Sequence, residues 1–299
     1  MMNKQIVKPF MKWAGGKGQL LSEIQPYYPF QKGRITRYAE PFVGGGAVLF
    51  DILSKYDLDD IYISDINADL INAYRVVRDD VELLIELLQS MQQEFLPMSL
   101  EERKMYYLRH RESFNRLKQC KENESPIEKA ALLIFLNRTC FNGLFRVNKK
   151  GLFNVPMGAY KSPLICDMDN LFSVSEKLKS VNIHCGDYRE SESFIDKNTF
   201  VYIDPPYRPI SATASFTAYS ESAFDDEAQR ELAGFVREIH RKGATILMSN
   251  SDPTNYDSQD SFFDSMYSSY TIRRVEATRM INSDSKSRGK IRELLISNM

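Results

Sequence analysis

A chain of 299 residues with 43% hydrophobic and 26% charged side chains has the make-up of a globular protein with one large domain or two smaller ones, which excludes a disordered or fibrous chain. Its longest apolar run, Ala130 to Leu136, is too short to span a bilayer, and Met1 to Leu21 lacks the apolar core of a secretory signal, so a cytoplasmic protein with no membrane partner is expected. A net charge of −1 gives no overall pull toward nucleic acid, and the scattered cysteines (Cys120, Cys140, Cys166, Cys185) and histidines (His110, His184, His240), with no C-x-x-C pair, argue against a metal site or a disulfide framework.

Met1 to Leu21 carries four lysines and no acid. Ile35 to Phe42 reads as a strand, followed by Gly44-Gly45-Gly46 and by Ala47 to Leu53 at helical spacing. Glycines at such a turn let the backbone bend sharply and approach a ligand closely. A second strand, Asp60 to Ser64, ends at Asp65. That acid lies about twenty residues beyond the turn, the spacing at which an acid reaches a ribose hydroxyl in Rossmann-like folds. The turn reads Phe42-Val43-Gly44-Gly45-Gly46 rather than G-x-G-x-x-G, which makes a nicotinamide dinucleotide the weaker candidate. Ala68 to Arg78 and Val81 to Gln92 have apolar residues three and four apart and predict helices. Phe95 to Glu124 is polar and rich in Arg and Lys. Pro126 opens an apolar helix over Ile127 to Asn137. Arg138 to Pro163, rich in Gly, Asn, Phe and basic residues with little periodicity, predicts a binding surface or an ordered loop.

The α/β pattern then resumes. Val181 to Cys185 is a strand ending in Gly186-Asp187. Phe200 to Ile203 is a short buried strand, Asp225 to Lys242 an amphipathic helix, and Ala244 to Ser249 a strand. Tyr270 to Met280 and Ile291 to Ser297 predict a terminal hairpin joined by a basic, Ser-rich loop. Repeated β-then-α units predict an α/β fold with a mostly parallel sheet and helices on both faces. Residues 74–165 read as an insertion between two halves, 1–73 and 166–299. Charge is unevenly spread: Glu101 to Lys150 has twelve Lys/Arg against six Asp/Glu, Arg273 to Arg292 seven against two, and Asp51 to Leu70 six acids and one lysine. A polyanion can lie across the three basic segments while the acids face away or serve a pocket. Taken singly, each segment also fits a solvated charged face.

Asp204-Pro205-Pro206-Tyr207 follows the strand Phe200 to Ile203. Proline lacks an N–H and has a fixed φ, so it stops the strand and keeps Asp204 extended at the carboxyl edge, where open α/β sheets bind ligands. An acid, a stiff turn and an aromatic ring suit a flat, amino-bearing base. The exocyclic nitrogen of adenine is a poor nucleophile because its lone pair is delocalised into the ring. The Asp204 carboxylate and the Pro205 carbonyl can accept its two N–H groups and turn the lone pair toward an electrophile, while Tyr207 stacks on the base. The plain alternative is a strand-ending turn with an exposed tyrosine.

The chain resembles DNA adenine methylases of the Dam/DpnII type. The matching pieces run in order through Lys12-Trp13-Ala14-Gly15-Gly16-Lys17, Glu40 to Gly46, Ser64-Asp65-Ile66-Asn67, Asn137-Arg138 with Phe141-Asn142-Gly143-Leu144 and Arg146, Phe153 to Pro156, Gly186-Asp187, and Asp204 to Tyr207. The likeness covers essentially the whole chain. It implies a Rossmann-like S-adenosylmethionine-dependent methyltransferase sheet with an inserted, mostly helical target-recognition domain, in the alpha-group motif order. It further implies S-adenosylmethionine as donor, duplex DNA as substrate and N6-methyladenine as product. By similarity, Trp13, Lys17, Phe42, Gly44, Gly46, Asp65, Asp187 and Asp204 bind the cofactor, and Asp204, Pro205, Pro206 and Tyr207 form the catalytic loop. Lys12 reaches the recognition site, Phe141 is the wedge that enters the base stack, and Arg146 reads guanine O6 and N7, worth about 1–3 kcal/mol of discrimination. Asn142, Leu144 and Pro156 resemble further recognition contacts, and this set is that of GATC-recognising members. Ser285, Ser287, Arg288 and Lys290 are expected on phosphates. Phe216 and Tyr219, in the loop Ser211 to Tyr219, fit equally a lid over the flipped base and anchors for the loop. A monomer is expected. Pairing with a restriction endonuclease and an independent role both stay open, as do a different target sequence, another methyl acceptor such as cytosine N4, and a DNA-binding module without activity.

Overall fold

Ser125 and Pro126 start the helix around which the first of two units is built. The Ser125 hydroxyl accepts from the Glu128 N–H at 3.3 Å, and Pro126 occupies the first turn, where its missing N–H costs nothing. The computed structural model describes residues 6–119, 125–208, 224–278 and 290–299. This first unit gathers the described residues of Met1–Gly16, Gly44–Lys55 and Asn67–Cys185. It contains α2 (Ala47–Lys55), α3 (Ala68–Asp79), α4 (Val81–Phe95), α5 (Leu100–Gln119), α6 (Pro126–Thr139), α7 (Met168–Leu178) and the strand β3 (Val181–Cys185). α6 is apolar on every side and buried from Ala130 to Leu136, as a central helix must be, with α3, α4 and α5 packed around it.

α5 lies in the polar stretch that shows no clear helical stripe in the sequence. Only Tyr106, Tyr107, Phe114 and Leu117 bury a face. The helix instead uses polar contacts to hold the segment that leaves α6. The Tyr107 hydroxyl donates to the Val155 carbonyl at 2.8 Å, and the Asn115 amide pairs with both the N–H and the carbonyl of Phe153, at 2.8 and 3.0 Å. Residues 140–157 thereby form an irregular hairpin on α5, with antiparallel bridges Cys140–Met157 and Val147–Phe153. The segment expected to be an ordered loop is one.

The second unit gathers the described residues of Lys17–Val43, Tyr56–Ile66 and Gly186–Met299. Its elements are α1 (Leu21–Ile24), β1 (Arg37–Glu40), β2 (Asp60–Asp65), β4 (Thr199–Ile203), α8 (Asp226–Arg241), β5 (Thr245–Ser251), α9 (Phe262–Met266), β6 (Thr271–Thr278) and β7 (Lys290–Ser297). Its strands run in the order β2-β1-β4-β5-β7-β6. β2, β1, β4 and β5 are parallel, with Glu40 opposite Ile63, Ala39 opposite Val201 and Ile203 opposite Met248. β7 runs antiparallel between β5 and β6, so the expected terminal hairpin inserts its second strand against the parallel set. β4 is buried at all five residues, as a strand covered on both faces requires. α8 is capped by Asp225, whose side chain accepts from the N–H groups of Glu227 and Ala228 at 3.1 and 3.0 Å. Its stripe of Leu232, Val236 and Ile239 joins Val201, Ile203 and Ile246 in one core.

Candidate active site

Three neighbouring parallel strands of the second unit end in acids: β1 at Glu40, β2 at Asp65, and β4 just before Asp204. β1 has β2 on one side and β4 on the other, so connections leave it in both directions. That is a topological switch point, where open α/β sheets bind ligands beyond the carboxyl ends. Glu40 is committed to the core, its Oε2 accepting from the Tyr38 hydroxyl at 2.7 Å. Asp65 lies beside the Gly186-Asp187 turn, whose Gly186 N–H donates to the Asp65 carbonyl at 3.2 Å. Phe42 stacks on Tyr188 with ring centres 5.2 Å apart. Asp187 caps the short helical turn Tyr188–Ser193, and its carboxylate takes Arg189 in a paired contact at 2.7 and 3.1 Å. The Arg189 guanidinium, against desolvation, holds the Asp187 carboxyl below its ordinary range. Phe42, Asp65 and Asp187 are thus brought into one region of this unit.

Asp204 is held by two donors on a single oxygen. Lys17 Nζ lies 2.7 Å from Oδ1, and the Ser249 hydroxyl donates to the same atom at 2.9 Å. Since the Ser249 proton is used there, the Tyr202 hydroxyl, 2.9 Å away, donates to Ser249. Among the described residues nothing is bonded to Oδ2, which is the oxygen left to accept from a ligand. Lys17 is only 4% exposed, so its charge is turned into the site and not into solvent. Pro205 is buried and Pro206 exposed, and the Pro206 carbonyl accepts from the Gln229 amide at 3.2 Å, which ties the turn to α8. The Tyr207 hydroxyl donates to Glu293 Oε2 at 2.6 Å, and Lys17 Nζ sits 4.8 Å from the centre of its ring. Burial, with the Asp204 and Glu293 carboxylates nearby, raises the Tyr207 phenol well above its ordinary value, so it stays a donor.

Ser249, Gln229 and Glu293 are site residues that sequence reasoning misses. Ser249 and Gln229 carry no pattern that marks them. Glu293 does: it is an acid inside the apolar run Ile291 to Ser297.

In the first unit, the glycine turn packs on Trp13. A Cβ on Gly44 would meet the indole Cδ1 at 3.0 Å, and one on Gly45 would meet Trp13 Cβ at 2.9 Å. Gly46, at φ +71°, faces Tyr74 and Phe50, whose Cε2 would lie 2.9 Å from an added Cβ. The Tyr74 hydroxyl closes the turn by donating to the Gly44 carbonyl at 3.1 Å. The indole also stacks on Phe145, with ring centres 5.3 Å apart.

Phe141, Asn142, Leu144, Arg146 and Pro156, expected to read DNA, lie together on the 140–157 hairpin. Phe141 is 52% exposed, a large ring left in solvent. Asn142 adopts φ 56°, and Gly143 φ 65°, where a Cβ would strike the Lys12 side chain at 2.5 Å. The Phe141 N–H donates to the Pro156 carbonyl at 2.9 Å, pairing two of the candidates across the hairpin. Arg146 is exposed and steered by Asn154, whose Oδ1 accepts from its Nε at 2.8 Å. Leu144 is half-buried and Pro156 exposed. Lys12 is fixed by the buried amide of Asn137, which takes the Lys12 N–H and donates to the Lys12 carbonyl, both at 2.8 Å, and to the Gly143 carbonyl at 2.9 Å. The Lys12 ammonium then lies over the Tyr160 ring at 4.8 Å. Lys290 opens β7, while Ser285, Ser287 and Arg288 lie outside the described residues, as do Ser211 to Tyr219 with Phe216 and Tyr219.

The profile of the D12 class N6 adenine-specific DNA methyltransferases matches residues 13–281. The chain is 49% identical over 296 residues to the type II methyltransferase M.MjaIII of Methanocaldococcus jannaschii, covering 98% of this chain and 99% of that one. It is 38% identical over 298 residues to the type II methyltransferase M1.LlaDCHI of Lactococcus lactis subsp. cremoris, covering 99% and 97%. It is 35% identical over 288 residues to a DNA adenine methylase of Escherichia coli K12, covering 96% and 94%. The chain belongs to the D12 class N6 adenine-specific DNA methyltransferase family.

Proposed function

We propose that this member of the D12 class, an adenine-specific DNA methyltransferase, transfers a methyl group from S-adenosylmethionine to N6 of an adenine flipped out of duplex DNA, with GATC as its target. The observation that carries the reading is the Asp204 carboxylate: Oδ1 is anchored by Lys17 and Ser249 at the end of β4, and Oδ2 has no hydrogen-bond partner among the described residues.

The side chains at hand fit the cofactor. Asp65, at the carboxyl end of β2, suits a ribose diol. Ile66, beside it and 67% exposed, offers an apolar face to a nucleoside. Phe42, Gly44, Gly46, Trp13, Lys17 and Asp187 complete the proposed set. When bound, S-adenosylmethionine supplies an electrophilic methyl group. What the chain does is orient the acceptor. Asp204 Oδ2 and the Pro205 carbonyl accept hydrogen bonds from the two N6–H groups and expose the nitrogen lone pair, and the Tyr207 ring supports the base. One of those protons is lost to solvent as the methyl is transferred, with S-adenosylhomocysteine as the other product. Positioning and preorganised electrostatics of this kind account for most of the rate, with no proton held by a strong base in advance.

DNA is engaged by Lys12, Phe141, Asn142, Leu144, Arg146 and Pro156 within the target-recognition segment 74–165, and by Arg288 and Lys290 on phosphates. An exposed aromatic at the tip of a tight turn is suited to enter a base stack and offset the cost of unstacking. Arg146, its guanidinium oriented by Asn154, is suited to the two acceptors of guanine. We propose a cytoplasmic monomer, and the type II names of two relatives support a partnership with a restriction endonuclease.

Substituting Asp204→Ala tests the reading. Transfer should fall by roughly a thousandfold, in the range of a lost transition-state contact, with DNA binding retained. Near-normal turnover in that variant would contradict it.

A further inference from the structure

Glu293 sits in β7 with its side chain turned in beside the Asp204–Tyr207 turn, opposite Ser251 in the β5–β7 register and 8% exposed. Taking a carboxylate out of water is costly unless its oxygens find partners. Among the described residues it has two such partners. Oε2 accepts from the Tyr207 hydroxyl at 2.6 Å, and Lys17 Nζ approaches the same atom to 3.9 Å. These do not fully compensate: burial pushes the Glu293 carboxyl above its ordinary value, while Lys17 and the Tyr207 hydrogen bond pull it partly back and Asp204 pushes it further up.

The sign of that shift bears on why the acid is there. A carboxyl whose folded value is raised above its unfolded one favours the folded state most below the unfolded value and loses that contribution as pH rises through the folded one. Above that folded value the charged Glu293 therefore weakens the fold. What it does instead is hold a ring. The two prolines fix the backbone leading into Tyr207, and Glu293 fixes the far end of the side chain. The Lys17 ammonium, 4.8 Å from the ring centre and 2.7 Å from Asp204 Oδ1, sits between the two acids.

We propose that Glu293 is a positioning residue for methyl transfer: through the Tyr207 hydroxyl it sets the plane of the ring against which the target adenine stacks. This rests on the reading of Asp204–Tyr207 as the catalytic loop.

The test is single-turnover transfer of labelled methyl from saturating S-adenosylmethionine to saturating unmethylated genomic DNA, which contains every short site. Glu293→Leu removes the acceptor and should slow transfer about tenfold, the size of one hydrogen bond to a charged group. Glu293→Gln keeps an acceptor oxygen and should recover most of that rate. It should also melt at or above the temperature of the unsubstituted chain at pH 7, which a purely structural acid would not allow. Tyr207→Phe should lose as much as Glu293→Leu, and the double variant no more than either. An unchanged rate in Tyr207→Phe, or losses that multiply in the double variant, would overturn the proposal. So would normal transfer by Glu293→Leu while Asp204→Ala is dead. If Asp204→Ala itself transfers normally, the catalytic reading falls first, and the two failures are thereby told apart.

Discussion

Asp204 shows how little of a proposed catalytic group is its own residue type. The two prolines after it stop β4 and hold it at the sheet edge, but its orientation comes from Lys17 and Ser249, which are distant in sequence and meet on Oδ1. Removing the serine hydroxyl leaves the lysine in place, so Ser249→Ala should reduce turnover about tenfold, by one hydrogen bond to a charged group, and not abolish it. Steady-state kinetics on methyl-free DNA will show whether kcat falls with KM little changed. Gly46 presents the opposite case, a residue defined by what cannot be added. At φ +71° and with Tyr74 and Phe50 against it, Gly46→Ala should destabilise the chain by about 1–3 kcal/mol, read as a lowered midpoint in urea. A midpoint within error of the natural chain would show that the turn relaxes around a methyl group.

At the scale of elements, the proposed DNA contact rests on the hairpin 140–157 and its clamp. Asn137 ties the backbone of Lys12 to the Gly143 carbonyl, and Gly143 has no room for a Cβ beside the lysine stem. Asn137→Ala should therefore weaken discrimination between target and non-target duplexes more than it weakens total DNA binding, because it frees the segment that carries one reader without removing a cation. Arg146→Ala should cost about 1–3 kcal/mol at its base pair, measured as relaxed preference when that pair is changed. Elements with strong patterns are legible in the sequence. Every strand predicted from alternation or a short apolar run is present, from Arg37–Glu40 to Lys290–Ser297, with ends displaced by a few residues. α5 is not legible, because it packs with four residues and otherwise works through Tyr107 and Asn115 hydrogen bonds, which leave no hydrophobic stripe. α9, at five residues, has too few turns for a periodicity to show, and α7 buries Leu171, Val174 and Leu178 in a stripe diluted by the equally buried Asn170, Ser173 and Ser175. At the site, the motifs mark Asp65, Asp187 and Asp204 by position. The supports Ser249, Gln229 and Glu293 come from β5, α8 and β7, and only the fold brings them to the turn.

For the molecule as a whole, a net charge of −1 hides a functional asymmetry. Asp65 at the end of β2 and Asp204 after β4 are the acids proposed for cofactor and base, while the hairpin proposed for recognition carries the exposed Arg146, Lys149 and Lys150. Binding to non-target duplex should weaken by about tenfold or more between roughly 50 and 200 mM salt, as displacement of two or more counterions requires. A salt-independent affinity would leave the basic segments without a role in DNA contact. The most direct measurement is transfer of labelled methyl from S-adenosylmethionine to two matched duplexes that differ only in carrying GATC or GTAC, with digestion and identification of the labelled nucleoside. Label in N6-methyladenine from the GATC duplex alone is the predicted result. Label in cytosine, or none in either duplex while S-adenosylmethionine is bound, would contradict the assignment of Asp204 and its turn to N6 methylation at GATC.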